Sequence, residues 1–272
     1  MLITPDTSTL SYKRQLAKRF DRASRSYDTY ADFQKIVLDR LLAMLPLCQA
    51  DVVLDLGTGT GQALETLSAQ LSPSCNIALD LAPQMLAVAS ERYSTLPNTY
   101  YLCADAERLP IRDESCDLVF SSMAIQWCLS PLGLFKELYR ATRPSGYVVF
   151  STLSQGSMPE ISKAWRGLDD KEHVHQYMAL DALLDCVKVS GLNLLSSRLS
   201  DVPMWFDSPE NAIYSLKKVG ASLIAADGNQ SISPSKWKAF LHEYEKQRDE
   251  NGIPLSYQVS FVVAQRPISI QE

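Results

Sequence analysis

Apolar residues recur along this chain with two periods, and each change of period marks a change of element. Leu16, Phe20, Ala23 and Tyr27 fall on one helical face, and Arg14, Lys18, Arg22 and Arg25 fall on another. That spacing predicts an amphipathic helix over 12–27. A second helix over 30–45 ends near Pro46. Short β-branched and apolar runs then predict strands at 51–56, 76–81, 99–105, 116–123 and 147–153, with helices at 61–71, 83–93 and 131–142. Strands alternating with helices predict a mostly parallel sheet with helices on both faces. The last third is less regular. Residues 158–190 read as mostly helical with a polar break at "DDKEHVH", 193–206 as a strand, 209–220 and 233–248 as helices, and 255–265 as a final strand.

The expected organisation is one α/β domain over 1–272. It comprises an N-terminal helical arm (1–46), a core (47–153) and a final part (154–272) with a helical insertion at about 207–250 before the last strand. Hydrophobic residues make up 46% of the 272, enough for a real core. The net charge of -5 argues against a general nucleic-acid binder, although a local basic patch can still meet one acidic partner. Six cysteines at irregular spacing, with no CxxC pair, point to reduced thiols in a cytoplasmic protein. No uncharged apolar run approaches the roughly 20 residues of a membrane helix.

Residues 53–61, "VLDLGTGTG", place Gly57, Gly59 and Gly61 at every second position between a strand and a helix. Glycine admits positive φ and lets a ligand approach the backbone, and such a turn exposes amide N–H groups. The spacing is not the GxGxxG of a dinucleotide site, which disfavours a dehydrogenase, and the Lys-Ser/Thr of a P-loop is missing. Asp55 lies inside the strand end. Asp80 ends the second strand, where an acid can bind a ribose diol, and Asp105 ends the third.

The stretches "VLDLGTGTG", "ALDLAPQML", "CADAERLP", "CDLVFSSMAIQW" and "LYRATRPSGYVVFSTL" occur in an order that resembles a Rossmann-like class I S-adenosylmethionine-dependent methyltransferase. The resemblance implies a seven-stranded sheet and S-adenosyl-L-methionine as methyl donor. By it, Gly57, Gly59 and Gly61 line the amino-acid end of the cofactor, and Asp55 holds their turn. Asp80 binds the ribose, Leu81 and Met85 lie near the adenine, Asp105 accepts from its amino group with Ala106 beside it, and Ser121 lies near the reactive methyl.

Five further stretches lie outside those motifs: "FDRASRSYDTYADFQ", "AIQWC", "STLSQGSMPEISKAW", "MWFDSPENAIYSLKKVGA" and "PLSYQVSFVVA". They resemble the malonyl-acyl-carrier-protein O-methyltransferases of biotin synthesis. The implied acceptor is the free carboxylate of a malonyl thioester on acyl carrier protein. A carboxylate is ionised at pH 7 and needs no general base, and no His–Asp or Cys–His set is evident. His173, His175 and His242 read as surface residues, and no metal site is expected. Tyr27, Gln126, Trp127 and Lys217 are the candidates for positioning the acceptor, with Lys217 nearest the malonyl carboxylate. Carrier proteins are acidic, so Arg14, Lys18, Arg22 and Arg25 are candidates for docking one. Two rival functions stand beside this: methylation of a free small molecule such as a dicarboxylic acid or quinone precursor, and a non-catalytic cofactor-binding assembly role.

Overall fold

The computed structural model describes residues 7–221 and 232–268. Residues 222–231 of the expected helical insertion lie outside the described residues.

Seven strands form one sheet: β1 (Val52–Leu56), β2 (Cys75–Asp80), β3 (Thr99–Cys103), β4 (Cys116–Ser122), β5 (Thr142–Leu153), β6 (Asn193–Phe206) and β7 (Ile253–Gln265). Their order is β3-β2-β1-β4-β5-β7-β6. The first five pair in parallel, and β7 runs antiparallel to both β5 and β6. The order reverses between β1 and β4. In open α/β sheets the crevice outside the strand C-termini at that point is where ligands bind.

Helices α1 (Thr7–Ala23) and α2 (Asp32–Leu42) form the arm. Helices α3 (Leu64–Leu71), α4 (Pro83–Arg92) and α5 (Pro131–Ala141) connect the parallel strands. Helices α6 (Pro159–Trp165), α7 (Leu180–Val189), α8 (Pro209–Lys218) and α9 (Pro234–Glu245) follow. Five of these open on proline, whose fixed φ suits a first helical position and whose missing N–H is lost to no bond there. Ser130, Ser208 and Ser233 cap α5, α8 and α9 by accepting from backbone N–H groups in the first turn.

Strand alternation divides the core. Val53, Leu118, Phe120 and Val149 face one side, against buried residues of α2, α3, α6, α8 and α9. Leu54, Leu56, Val119 and Phe150 face the other, against α5 and α7. Asp117, at the start of β4, accepts from Asp51 N and Val52 N at 3.0 and 2.7 Å and so fixes the entry to β1.

Several boundaries differ from expectation. The first helix begins at Thr7 and stops at Ala23, because Ser24 and Ser26 turn their hydroxyls back onto the carbonyls of Asp21 and Ala23. Tyr27 therefore sits in a short 3-10 turn, Tyr27–Thr29. Helix α3 starts only at Leu64, since the glycine turn continues to that point. Within 158–190 only α6 and α7 are α-helical, and an irregular segment joins them.

Candidate active site

The three glycines do three different jobs. Gly57 N and Thr58 N donate to Leu79 O at 2.7 and 2.9 Å, which pins the turn to β2. Gly57 has φ +72°, and a Cβ there would lie 2.2 Å from the Ala124 Cβ. Gly59, at φ +57°, faces open space, with no atom within 4 Å of a built Cβ. Gly61, at φ +83°, packs against Tyr93 and Leu64 and stands away from the cavity. Beneath the turn, the Thr58 hydroxyl donates to Asp55 at 2.6 Å. Burial pushes the Asp55 carboxyl up to about 7, with the Thr58 bond opposing the rise and Asp80 adding to it.

A cavity opens over Gly57 and Gly59 and runs past Asp80, Leu81, Met85, Asp105 and Ala106. Asp80 is held by two backbone donors, Gly59 N at 2.9 Å and Ala82 N at 2.8 Å, so its position is set by both flanking turns. Burial raises its pKa against those bonds. Asp55 stands behind this wall and lines a smaller adjoining cavity with Thr58, Thr60 and Gln34. Ser121 is a correction. Its hydroxyl donates to Leu56 O at 2.8 Å within the sheet and is buried there, while its neighbour Ser122 faces the cavity. Strand alternation makes this unavoidable, because adjacent residues point to opposite faces.

The arm forms the roof. Lys13, buried, reaches Asp105 at 2.9 Å and also pairs with Glu107. Asp21 accepts from Gln84 N at 2.8 Å at the start of α4. Asp28 accepts from the Thr60 hydroxyl and the Gln62 amide, both at 2.6 Å, and pairs with Arg92. These contacts lay Leu16, Phe20 and Tyr27 over the cavity. The residues fit S-adenosylmethionine: an acceptor-only carboxylate suits a ribose diol, an apolar wall suits adenine, and the bare face of Gly59 leaves room on the turn.

A second cavity, of about 310 Å³, adjoins the first, and Phe20, Tyr27, Met123 and Trp127 line both. Gln126 lines its inner side, donating to Met123 O at 2.7 Å and accepting from the Thr152 hydroxyl at 3.1 Å. Trp127 meets the Phe20 ring edge-on at 5.7 Å. Among the described residues that line this cavity, Arg19 alone carries a permanent charge, and none is a carboxylate. Lys217 is a second correction. It lies on the exposed side of α8 with its ammonium 5.8 Å from the centre of the Trp237 ring, while Leu216 and Val219 face the cavity. His175 lines the cavity too, and burial holds its pKa below the usual imidazole value. His173 is stacked on Trp165 at 3.8 Å and bonded to Asp169 at 2.7 Å. Neither is the surface histidine expected.

Residues 54–150 match the family described as "Methyltransferase domain". The malonyl-[acyl-carrier protein] O-methyltransferase of Marinomonas sp. (strain MWYL1) is 82% identical over 99% of this chain and 100% of that protein. This chain belongs to the malonyl-[acyl-carrier protein] O-methyltransferase family. The biotin biosynthesis bifunctional protein BioHC of Cellvibrio japonicus is 33% identical over 94% of this chain, which spans 50% of that longer protein. In fold, the chain resembles the Haemonchus contortus phosphoethanolamine N-methyltransferase 2 solved with S-adenosylhomocysteine. The TM-score is 0.56 at 19% identity, covering 91% of this chain and 57% of that one.

For a member of this family, the residues that sequence reasoning missed are the instructive ones. Lys13 and Asp28 carry the roof, and Arg19 and His175 line the second cavity. Gln34 lines both the second cavity and the small cavity beside Asp55. A polar residue among Phe33, Val37, Leu38 and Leu41, the buried face of α2, was the signal available for it. Arg14, Lys18, Arg22 and Arg25 are all exposed, and no ion pair engages any of them among the described residues.

Proposed function

We propose that this protein transfers the methyl group of S-adenosylmethionine to the free carboxylate of a malonyl thioester carried on acyl carrier protein, forming the methyl ester used in biotin synthesis. Beyond family membership, one observation carries the reading. The cavity beside the cofactor site presents no carboxylate and one permanent cation among the residues described. Such a lining admits an anion without like-charge repulsion.

When bound, the cofactor supplies an electrophilic methyl on a sulfonium. The chain's own part is placement. Asp80, Leu81, Met85, Asp105 and Ala106 are the residues for the nucleoside end, and Gly57 and Gly59 those for the amino-acid end. Asp55 and Gly61 support that turn from behind. Tyr27, Phe20 and Trp127 at the junction exclude water and present ring faces to a cation. Gln126 and Arg19 orient the acceptor. Bringing two reactants into line supplies several kcal/mol of a barrier such as this. Transfer neutralises an anion and a cation, so a tight ion pair deep in the cavity would hold the ground state back. Arg19, exposed at the rim, avoids that. The rim lies beside Arg14, Lys18 and Arg22 on α1 and Arg25 in the turn just after it, the surface to which we assign the acidic carrier protein.

The test uses radiolabelled methyl donor with malonyl-acyl carrier protein, malonyl-coenzyme A, free malonate and unacylated carrier. Label is expected on malonyl carrier protein and lost in Asp80→Ala. Label on free malonate at equal rate would favour a small-molecule acceptor, and cofactor binding without transfer would favour an assembly role. The pH profile separates chemistries. A carboxylate nucleophile gives no rising limb between pH 6 and 8, whereas a hydroxyl acceptor served by His175 gives one that His175→Phe abolishes.

A further inference from the structure

Gln34 carries an anomaly: its amide oxygen is buried and accepts no hydrogen bond. A buried acceptor left without a donor is unfavourable by roughly 1–3 kcal/mol, and a native chain that keeps one has a reason. Gln34 stands on α2, on the wall between the acceptor cavity and the small polar cavity under the glycine turn. Among the described residues nothing donates to it. The Thr58 hydroxyl is committed to Asp55 and the Thr60 hydroxyl to Asp28. A ligand bound against this wall can bring it.

The two ligands of the proposed reaction differ on this point. An ionised malonyl carboxylate and its thioester carry no N–H or O–H at the reacting end. The amino-acid end of S-adenosylmethionine carries an ammonium with three donors. We propose that Gln34 accepts a hydrogen bond from that ammonium. This would add α2 of the N-terminal arm to the elements that bind the cofactor. The inference rests on the proposed use of S-adenosylmethionine. It ties together two features otherwise unrelated: the cavity under the turn, with Asp55 in its wall, and a polar side chain on the buried face of a helix that lies outside the cofactor motifs.

The experiment measures equilibrium binding, without acceptor, of S-adenosylhomocysteine and of 5′-methylthioadenosine, which keeps the nucleoside and thioether but lacks the amino-acid end. Wild type, Gln34→Leu and Gln34→Glu are compared, with melting temperature as the control for folding. Gln34→Leu is expected to weaken S-adenosylhomocysteine by about tenfold to a hundredfold, the range for a hydrogen bond to a charged group. Methylthioadenosine should be unchanged. Gln34→Glu keeps an acceptor oxygen and should bind S-adenosylhomocysteine within about threefold of wild type or tighter. Equal weakening of both ligands, no change in either, or a Glu variant as weak as Leu would overturn the assignment. So would a rise only in the KM for malonyl carrier protein, which would place Gln34 on the acceptor instead. Failure of wild type to bind S-adenosylhomocysteine would remove the proposed function itself, and this inference with it.

Discussion

Gly57 and Gly59 are two residues apart, and their substitution should fail in different ways. Alanine at Gly57 meets the Ala124 Cβ at 2.2 Å and is strained at positive φ, so Gly57→Ala should lower the melting temperature sharply. Alanine at Gly59 meets nothing within 4 Å. It carries only the left-handed backbone cost of about 1–2 kcal/mol, but its methyl enters the ligand's space. Gly59→Ala should therefore lose cofactor affinity with a small loss of stability, as parallel thermal melts and binding titrations will reveal. Asp55 makes a prediction in pH. Burial lifts its carboxyl from the ordinary value of 3.8 to about 7 in the folded chain. Between those values the folded state holds a proton that the unfolded state has released, so this contribution to stability is complete at low pH and is lost as pH rises from about 4 to about 7. Asp55→Asn should flatten that part of the stability–pH curve. An unchanged slope would mean the carboxyl is not buried as described.

The arm is the element on which the site depends. It is tied to the core by Lys13 and Asp21 on α1 and by Asp28 in the 3-10 turn that follows, and Asp28 grips both the glycine turn and α4 through Thr60, Gln62 and Arg92. Asp28→Ala should loosen the roof while sparing the sheet. The expected result is faster tryptic cleavage within α1 and several-fold weaker cofactor binding, with little change in the main melting transition. Lys13→Met is more severe. It leaves Asp105 and Glu107 facing each other without the buried ammonium between them. Removing one partner of a buried ion pair costs about 3 kcal/mol or more, and the strand end that carries Asp105 should shift with it. A variant as stable as wild type would show the pair to be solvated.

Across the whole molecule, charge separates two surfaces of an acidic protein. The net charge is -5, yet Arg14, Lys18, Arg22 and Arg25 stand exposed on the arm, near Arg19, which is exposed and lines the second cavity. Oppositely charged surfaces speed encounter, and at 0.1 M salt the effect is largely screened beyond about 10 Å. Reversing the four charges to glutamate should raise the KM for malonyl carrier protein strongly and that for malonyl-coenzyme A little, and should remove most of the salt dependence. Equal effects on the two substrates would argue against docking on this face. Among the described residues, no helix is long and apolar enough to cross a membrane.

Much of this was legible in the chain itself. The apolar and helical runs gave the parallel core, because its central strands β1 and β4 are buried on both faces and each helix on one. "VLDLGTGTG" marked the turn, and the strand-end acids Asp80 and Asp105 marked the crevice, because these depend on local geometry and on position within a βα unit. Tertiary structure decided the rest. Ser121 and Ser122 differ only in which face of β4 they occupy, and the pairing of β4 with β1 chose Ser122 for the cavity. Lys217 and Arg19 look alike as cations on amphipathic helices, and the packing of α8 turned one outward while α1 set the other at the rim. Lys13, Asp28 and Gln34 act on partners 92, 32 and 34 residues away or on space enclosed by several elements. A short pattern records the residue but not the distant surface it meets, so their roles come into being only when the arm folds over the sheet.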